Sequence, residues 1–236
     1  MNTLCIETKY HTYSLYRSIY APVESNMYMM IIGQEALVVD SIISEEMLEV
    51  LKNNHVQKVH LFLTHEHYDH SHGVCWLKRN IDMLLYAHIG AKGEIGTKKR
   101  SRPRLVAFVL SVKDMQDGGS RCKDFEKNLV DYELEADTYL EEGDSIKIGE
   151  HEISVIHLPG HTPGSCLYLL DNEIAFTGDS MIEGNKIITS FRGGDKKNML
   201  HVTLPKLKAL PNDLVIMPGH GNPFKKEQFN FDIYDV

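Results

Sequence analysis

Four short loops, each following an apolar run, carry histidine or aspartate at set places: THEHYDHSHG at 64–73, LPGHTPGS at 158–165, TGDS at 177–180 and PGHG at 218–221. This pattern constrains the fold more than any other feature of the chain, because a sheet must deliver four polar strand ends to one place. His65 and His67 are two apart, so on an extended segment both rings project to one side, while Asp69 and His70 continue into the turn toward a second point. Glycines and prolines around His161 and His220 let the backbone turn tightly enough to aim those rings inward. Imidazole nitrogen and carboxylate oxygen are the ligands of catalytic zinc, and a set without cysteine leaves coordination positions for water. One such motif alone reads as a hydrogen-bonded core histidine or a common turn. Four in order, each at a strand end, point to a metal site.

Residues 26–41 read as two strands broken at Gly33-Gln34-Glu35, and Ser44 to Asn53 as a helix with Met47, Leu48 and Leu51 on one face. A strand from Val59 to Thr64 runs into the first motif, and Ser71 to Asn80 looks helical. Leu84 and Leu85 suit a further strand. Short strands follow at Ile146–Ile148, Ile153–His157, Cys166–Leu170 and Glu173–Thr177, then a helix around Met199–Leu210 and a strand at Leu214–Met217. Two sheets with outer helices fit this order best. The 236 residues suffice for one large core, so one domain over 1–236 is expected, with residues 88–137, which lose clear periodicity, as an insertion.

No apolar run approaches the roughly 18 residues of a membrane span, and no basic start leads into an apolar stretch, so the cytoplasm is the expected location. Cys5, Cys75, Cys122 and Cys166 form no CxxC pair and suit reduced thiols. The net charge of -8 makes residues 92–127 stand out: ten lysines and arginines oppose five acids, leaving +5. That island, including Lys98, Lys99, Arg100 and Arg102, is expected to wall the metal cleft and gather an anionic substrate. Ser165 and Ser180 lie outside any GxSxG elbow and read as turn hydroxyls. Glu66 and Tyr68 are expected to point away from the metals.

A strand-end aspartate (Asp40), HxHxDH, a later histidine, a later aspartate and a final histidine together resemble the metallo-β-lactamase superfamily over roughly residues 26–221. The resemblance implies a four-layer αββα sandwich. It also implies that His65, His67 and His161 hold one metal, that Asp69, His70 and His220 hold the other, that Asp179 bridges both, and that Asp40 supports the ligands from behind. Two divalent metals, zinc first with iron or manganese as alternatives, would then supply a hydroxide nucleophile at neutral pH, with Asp69 and Asp179 positioning it and moving its proton. An aspartate at 179 where zinc β-lactamases tend to place cysteine, together with His70, disfavours antibiotic hydrolysis. The chain looks more like the hydroxyacylglutathione hydrolase (glyoxalase II) group, which implies cleavage of a thioester or related ester. No counterpart of that group's glutathione-binding helices is visible. Phosphodiester cleavage in nucleic acid, lactone hydrolysis and iron-dependent persulfide oxygenation are the alternatives. A small-molecule or carrier-linked substrate, possibly anionic, is expected ahead of nucleic acid, with no membrane partner and no reading of oligomeric state.

Overall fold

Period-two alternation sorts the strands into two sheets whose inner faces meet. In the computed structural model, which describes residues 1–99, 103–129 and 131–234, the chain opens with β1 (Asn2–Glu7), β2 (Thr12–Tyr20), β3 (Ser25–Ile32) and β4 (Glu35–Val39), paired antiparallel in that order. The sequence assigned nothing before residue 26, so β1 and β2 are additions to it. β3 and β4 form the expected hairpin, which turns where Gly33 takes a φ of 61°.

Helix α1 (Glu45–Asn53) forms for local reasons: the Ser44 side chain accepts from the Met47 amide, Glu45 and Glu46 face the positive helix end, and Met47, Leu48 and Leu51 make the buried stripe. It carries the chain over to β5 (Lys58–Leu63), parallel to β4. The short helices α2 (Tyr68–Ser71) and α3 (Val74–Asn80) then lead to β6 (Met83–His88), parallel to β5. Parallel neighbours need such crossovers.

Residues 88–137 hold more order than their sequence suggests. A two-residue strand β7 (Ile95–Gly96) pairs with β8 (Glu133–Leu134), and between them stand α4 (Arg104–Asp117), ended by Gly118 at a φ of 74°, and α5 (Arg121–Lys127). The periodicity is masked because α4 carries apolar residues on nearly all sides. β9 (Thr138–Leu140) completes the first sheet beside β6.

The second sheet runs β10 (Ser145–Ile148), β11 (His151–His157), β12 (Cys166–Leu170), β13 (Ile174–Gly178), β14 (Val215–Pro218) and β15 (Phe224–Lys225), with β13 and β14 parallel and the rest antiparallel. Between β13 and β14 a helical run begins as α6 (Lys196–Asn198), widens into a π turn at Met199–Thr203 and ends as α7 (Leu204–Ala209).

Alternate residues of one strand serve different layers. Leu37 and Val39 of β4 join Phe62, Tyr168, Phe176 and Met217 in the core between the sheets, whereas Ala36 and Val38 face Met47, Leu51, Val74 and Leu77 of the helices. On the other side Leu167, Ala175 and Ile216 pack on Met199, Leu204 and Leu207. Helix, sheet, sheet, helix is the resulting order, as the resemblance implied. Truncating fully buried Phe62 to alanine would cost about 3–5 kcal/mol, since it touches Tyr86 and Tyr168 rings at the centre.

The sheets also meet at one rim through the backbone. The Cys166 amide donates to Thr64 O at 2.9 Å and the Asn26 amide to Gly219 O at 2.7 Å. That rim gathers the carboxyl ends of β4, β5, β13 and β14.

Candidate metal centre

Asp40 follows β4 with a φ of 60°, a left-handed turn that swings its carboxylate beneath the end of β5. There it accepts from the Thr64 amide at 2.8 Å, from the Thr64 hydroxyl at 2.9 Å and from His70 Nδ1 at 2.8 Å. The Thr64 proton is thus committed to Asp40, so its oxygen accepts Nδ1–H of His65 at 3.1 Å. His161 Nδ1 donates to Ile188 O at 2.8 Å, and His220 Nδ1 to Val23 O at 3.1 Å. Carbonyls and carboxylates of this kind only accept, so these four rings carry hydrogen on Nδ1 and turn Nε2 inward.

The potential ligand atoms converge. One ligand atom each from His65, His67, His161 and Asp179 lie within 4.8 Å of one another, and so do one each from Asp69, His70 and His220. His161 Nε2 faces His67 Nδ1 at 3.0 Å, close enough for both to serve one cation. Asp179 sits between the groups with Oδ2 3.4 Å from His161 Nε2 and Oδ1 3.4 Å from His70 Nε2 and 3.5 Å from His220 Nε2. Asp69 Oδ2 is 3.5 Å from His70 and 3.4 Å from His220. The Nε2 atoms of His65 and His70, and Asp179 Oδ1, are buried without a hydrogen-bond partner. Unsatisfied buried polar atoms cost about 1–3 kcal/mol each, and several aimed at shared points fit a cation far better than packing. Two glycines permit the approach: a Cβ on Gly219 would lie 2.5 Å from Asp179 Oδ1, and one on Gly178 would lie 2.4 Å from Thr64 Oγ1.

Charge follows the same division. Burial, then the neighbouring imidazoles, lowers His65 well below the ordinary histidine range, and burial with His161 lowers His67 to about 3. Burial opposes a charge on His70, but Asp69, Asp40 and Asp179 outweigh it and raise the ring well above its usual value. Burial likewise opposes ionisation of Asp69 and Asp179, yet the facing His70 and His220 hold both carboxyls well below their usual range. Two ionised carboxylates, Asp69 and Asp179, therefore stand among these imidazoles, a field suited to divalent cations.

The structure brings together all seven residues singled out in the sequence, with Asp40 behind them. It also gives partners to the residues beside them. Glu66 is fully buried: its Oε2 accepts from Thr162 Oγ1 at 2.7 Å, tying the second loop to the first, while Ser165 Oγ accepts from the Thr162 amide at 3.0 Å. Tyr68 stacks on His72 and meets Phe125 edge-on, and it shares a cluster with Val106 and Leu110. Through Tyr68 the motif loop holds α4 above the donors.

The cleft over the donors is about 310 Å³ and takes its far wall from Leu105, Val106 and Val109 of α4. The insertion therefore does supply a wall, but an apolar one. Lys98 borders a separate hollow with Arg104 and Phe125, Lys99 pairs with Glu133 at 3.1 Å, and Arg100 and Arg102 lie outside the described residues. Lys186, which the sequence did not single out, is the basic residue at this cleft among the described residues.

An αββα sandwich that aims histidine and aspartate from four strand ends at two neighbouring points has the architecture of a metal-dependent enzyme. Residues 20–220 match the family model of the metallo-beta-lactamase superfamily, and the chain belongs to that superfamily. It is 38% identical over 87 residues to the mitochondrial persulfide dioxygenase ETHE1 of Homo sapiens, a stretch covering 36% of this chain and 34% of that protein's length. Against hydroxyacylglutathione hydrolase GloC of Haemophilus influenzae it is 27% identical over 163 residues, 69% of this chain and 68% of the relative. The crystal structure of the B3 metallo-beta-lactamase BLEG-1 superposes with a TM-score of 0.69 at 25% identity, covering 91% of this chain and 95% of that one. No helix among the described residues is long and apolar enough to cross a membrane.

Proposed function

We propose that this chain is a dinuclear metal-dependent hydrolase acting on a thioester or related ester. The carrying observation is the split carboxylate of Asp179, one oxygen toward each donor group. His65, His67, His161 and Asp179 would hold one divalent cation, and Asp69, His70 and His220 with Asp179 the other. Zinc suits an all-nitrogen-and-oxygen set, and iron and manganese accept the same donors. Two divalent cations held there would supply a nucleophilic hydroxide at neutral pH and polarise the substrate carbonyl.

The remaining work falls to the chain. Asp69 and Asp179, both ionised, accept the proton of the attacking water and hand it to the departing thiolate or alkoxide. Asp40 holds Nδ1–H of His70 and, through Thr64, of His65, so both rings keep one tautomer and one orientation. Thr162, His161 and Glu66 keep the second loop seated, and α4 excludes water from one side. Four free cysteines support work in a reducing compartment, with the cytoplasm as the proposed site.

Elemental analysis of protein purified without added metal, followed by thioesters, lactones, phosphodiesters and a β-lactam assayed side by side, tests the reading. Thioester turnover abolished by chelation and restored by metal is expected. A second reading, iron-dependent persulfide oxidation, is favoured by the 38% identity over 87 residues to a persulfide dioxygenase. Oxygen uptake with glutathione persulfide, and none of the hydrolyses, would replace the first reading by the second.

A further inference from the structure

The wall opposite the donors carries a second kind of chemistry. Val106 and Leu110 of α4 pack down on Tyr68, and that anchoring turns the neighbouring pair Leu105 and Val109, one helical turn apart, toward the cleft. Across from them the 182–191 loop offers Ile188 and Phe191. Ile188 spends its carbonyl on His161 yet remains 48% exposed, and Val109 is 37% exposed. Phe191 stands edge-on to both His67 and His161, with ring centroids 6.0 and 6.4 Å apart. Apolar side chains left facing solvent inside a concave site, beside the reacting centre, are what a ligand's apolar part would cover. Lys186 lies exposed at the rim of the same cleft and makes no ion pair among the described residues.

We propose that this cleft selects an apolar acyl group of about three to six carbons, seated between α4 and the 182–191 loop at the small end of ligand-pocket sizes, while Lys186 pairs with an anionic group on the thiol or alcohol half. This rests on the hydrolase reading of the same site. Water adds to the acyl carbon, the C–S or C–O bond to the leaving half breaks, and the thiolate or alkoxide takes up the proton; no further reactant is needed. The selection follows from area: each methylene moved out of water into the cleft raises kcat/KM about two- to fourfold until the seat is full.

The test compares acetyl, butyryl and hexanoyl thioesters of coenzyme A, which is anionic, with those of neutral N-acetylcysteamine. Alongside them, calorimetry follows binding of the non-hydrolysable S-ethyl and S-hexyl thioethers of both thiols. Expected are a hexanoyl-to-acetyl ratio of at least about tenfold, a tighter S-hexyl than S-ethyl thioether, collapse of both differences in Val109→Ser, and a KM rise in Lys186→Gln confined to the coenzyme A series. Turnover independent of chain length, with equal binding of the two thioethers, would overturn the acyl seat while leaving a hydrolase. Failure to cleave any thioester, with S-hexyl binding still preferred and the preference lost in Val109→Ser, would overturn the hydrolase reading and keep the seat. Equal effects of Lys186→Gln on both thiol series would overturn the role of the lysine.

Discussion

Two histidine–carboxylate clusters among the described residues are wired in opposite senses. At the far rim, His11 Nδ1 meets Glu173 Oε2 at 2.6 Å, His151 Nδ1 meets Asp171 Oδ2 at 2.6 Å, and the Tyr13 hydroxyl lies 2.8 and 3.0 Å from the two carboxylates. Each imidazole there spends its nitrogen directly on a carboxylate, so the cluster is a clasp between the first sheet and the turn after β12. At the metal rim the outer nitrogens are spent on Asp40, Thr64, Ile188 and Val23, and the inner ones of His65 and His70 are left over. The difference teaches that composition does not make a metal centre. Scaffold hydrogen bonds that fix the tautomer from behind do.

The largest effect expected from breaking this contrast is at Asp179. Asp179→Ala removes the residue facing both donor groups, so turnover should fall by more than the roughly 10- to 100-fold that follows loss of a supporting hydrogen bond. Steady-state kinetics with matched metal loading checks it, and near-normal activity would show that the two groups act without a bridge.

Asp40→Ala comes next. With Thr64 and His70 released, metal affinity should drop about 10- to 100-fold, read by competition with a chromophoric chelator. Affinity retained to within threefold would make Asp40 a turn residue only.

The far clasp should give the smallest effect, and on stability alone. Burial opposes its charge, but hydrogen bonds from His11, Thr8 and Tyr13 lower Glu173 to about 2 from the ordinary 4.5, so its contribution is present above pH 4.5 and lost as pH falls toward 2. His11 is raised above 6.5, chiefly by its hydrogen bond to Glu173, so its contribution is complete below pH 6.5 and fades as pH rises through the raised value. Glu173→Gln should therefore lower Tm by roughly 2–4 °C, with the gap from the parent widest between about pH 4.5 and 6.5 and metal content unchanged. A gap that grows steadily toward alkaline pH, or a loss of metal, would contradict the division between the two rims.

The sequence made the metal rim legible because its chemistry is local. Each donor sits within a few residues of a strand end, and Asp40, His65, His161, Asp179 and His220 could all be picked out from apolar runs that stop at glycine, proline or histidine. The cleft wall was not legible. Leu105, Val106, Phe108, Val109, Leu110 and Val112 leave α4 with no clear polar face, so periodicity cannot show which side meets Tyr68 and which meets the cleft. The flanking basic residues drew attention to charge where the structure places a hydrophobic surface. The role of Glu66 was not legible either, since nothing near it in sequence reveals Thr162, ninety-six residues away. β1 and β2 escaped because Tyr13, Leu15 and Arg17 alternate inward among polar neighbours, and one of the three is charged.

The central claim is that two points in one rim each take a cation. Titration of metal-stripped protein with zinc, followed calorimetrically and checked by elemental analysis after gel filtration, tests it directly. Two equivalents retained per chain in the parent, falling to one or none in Asp179→Ala, is the result expected here. One equivalent or none in the parent, with catalysis indifferent to the second, would contradict it.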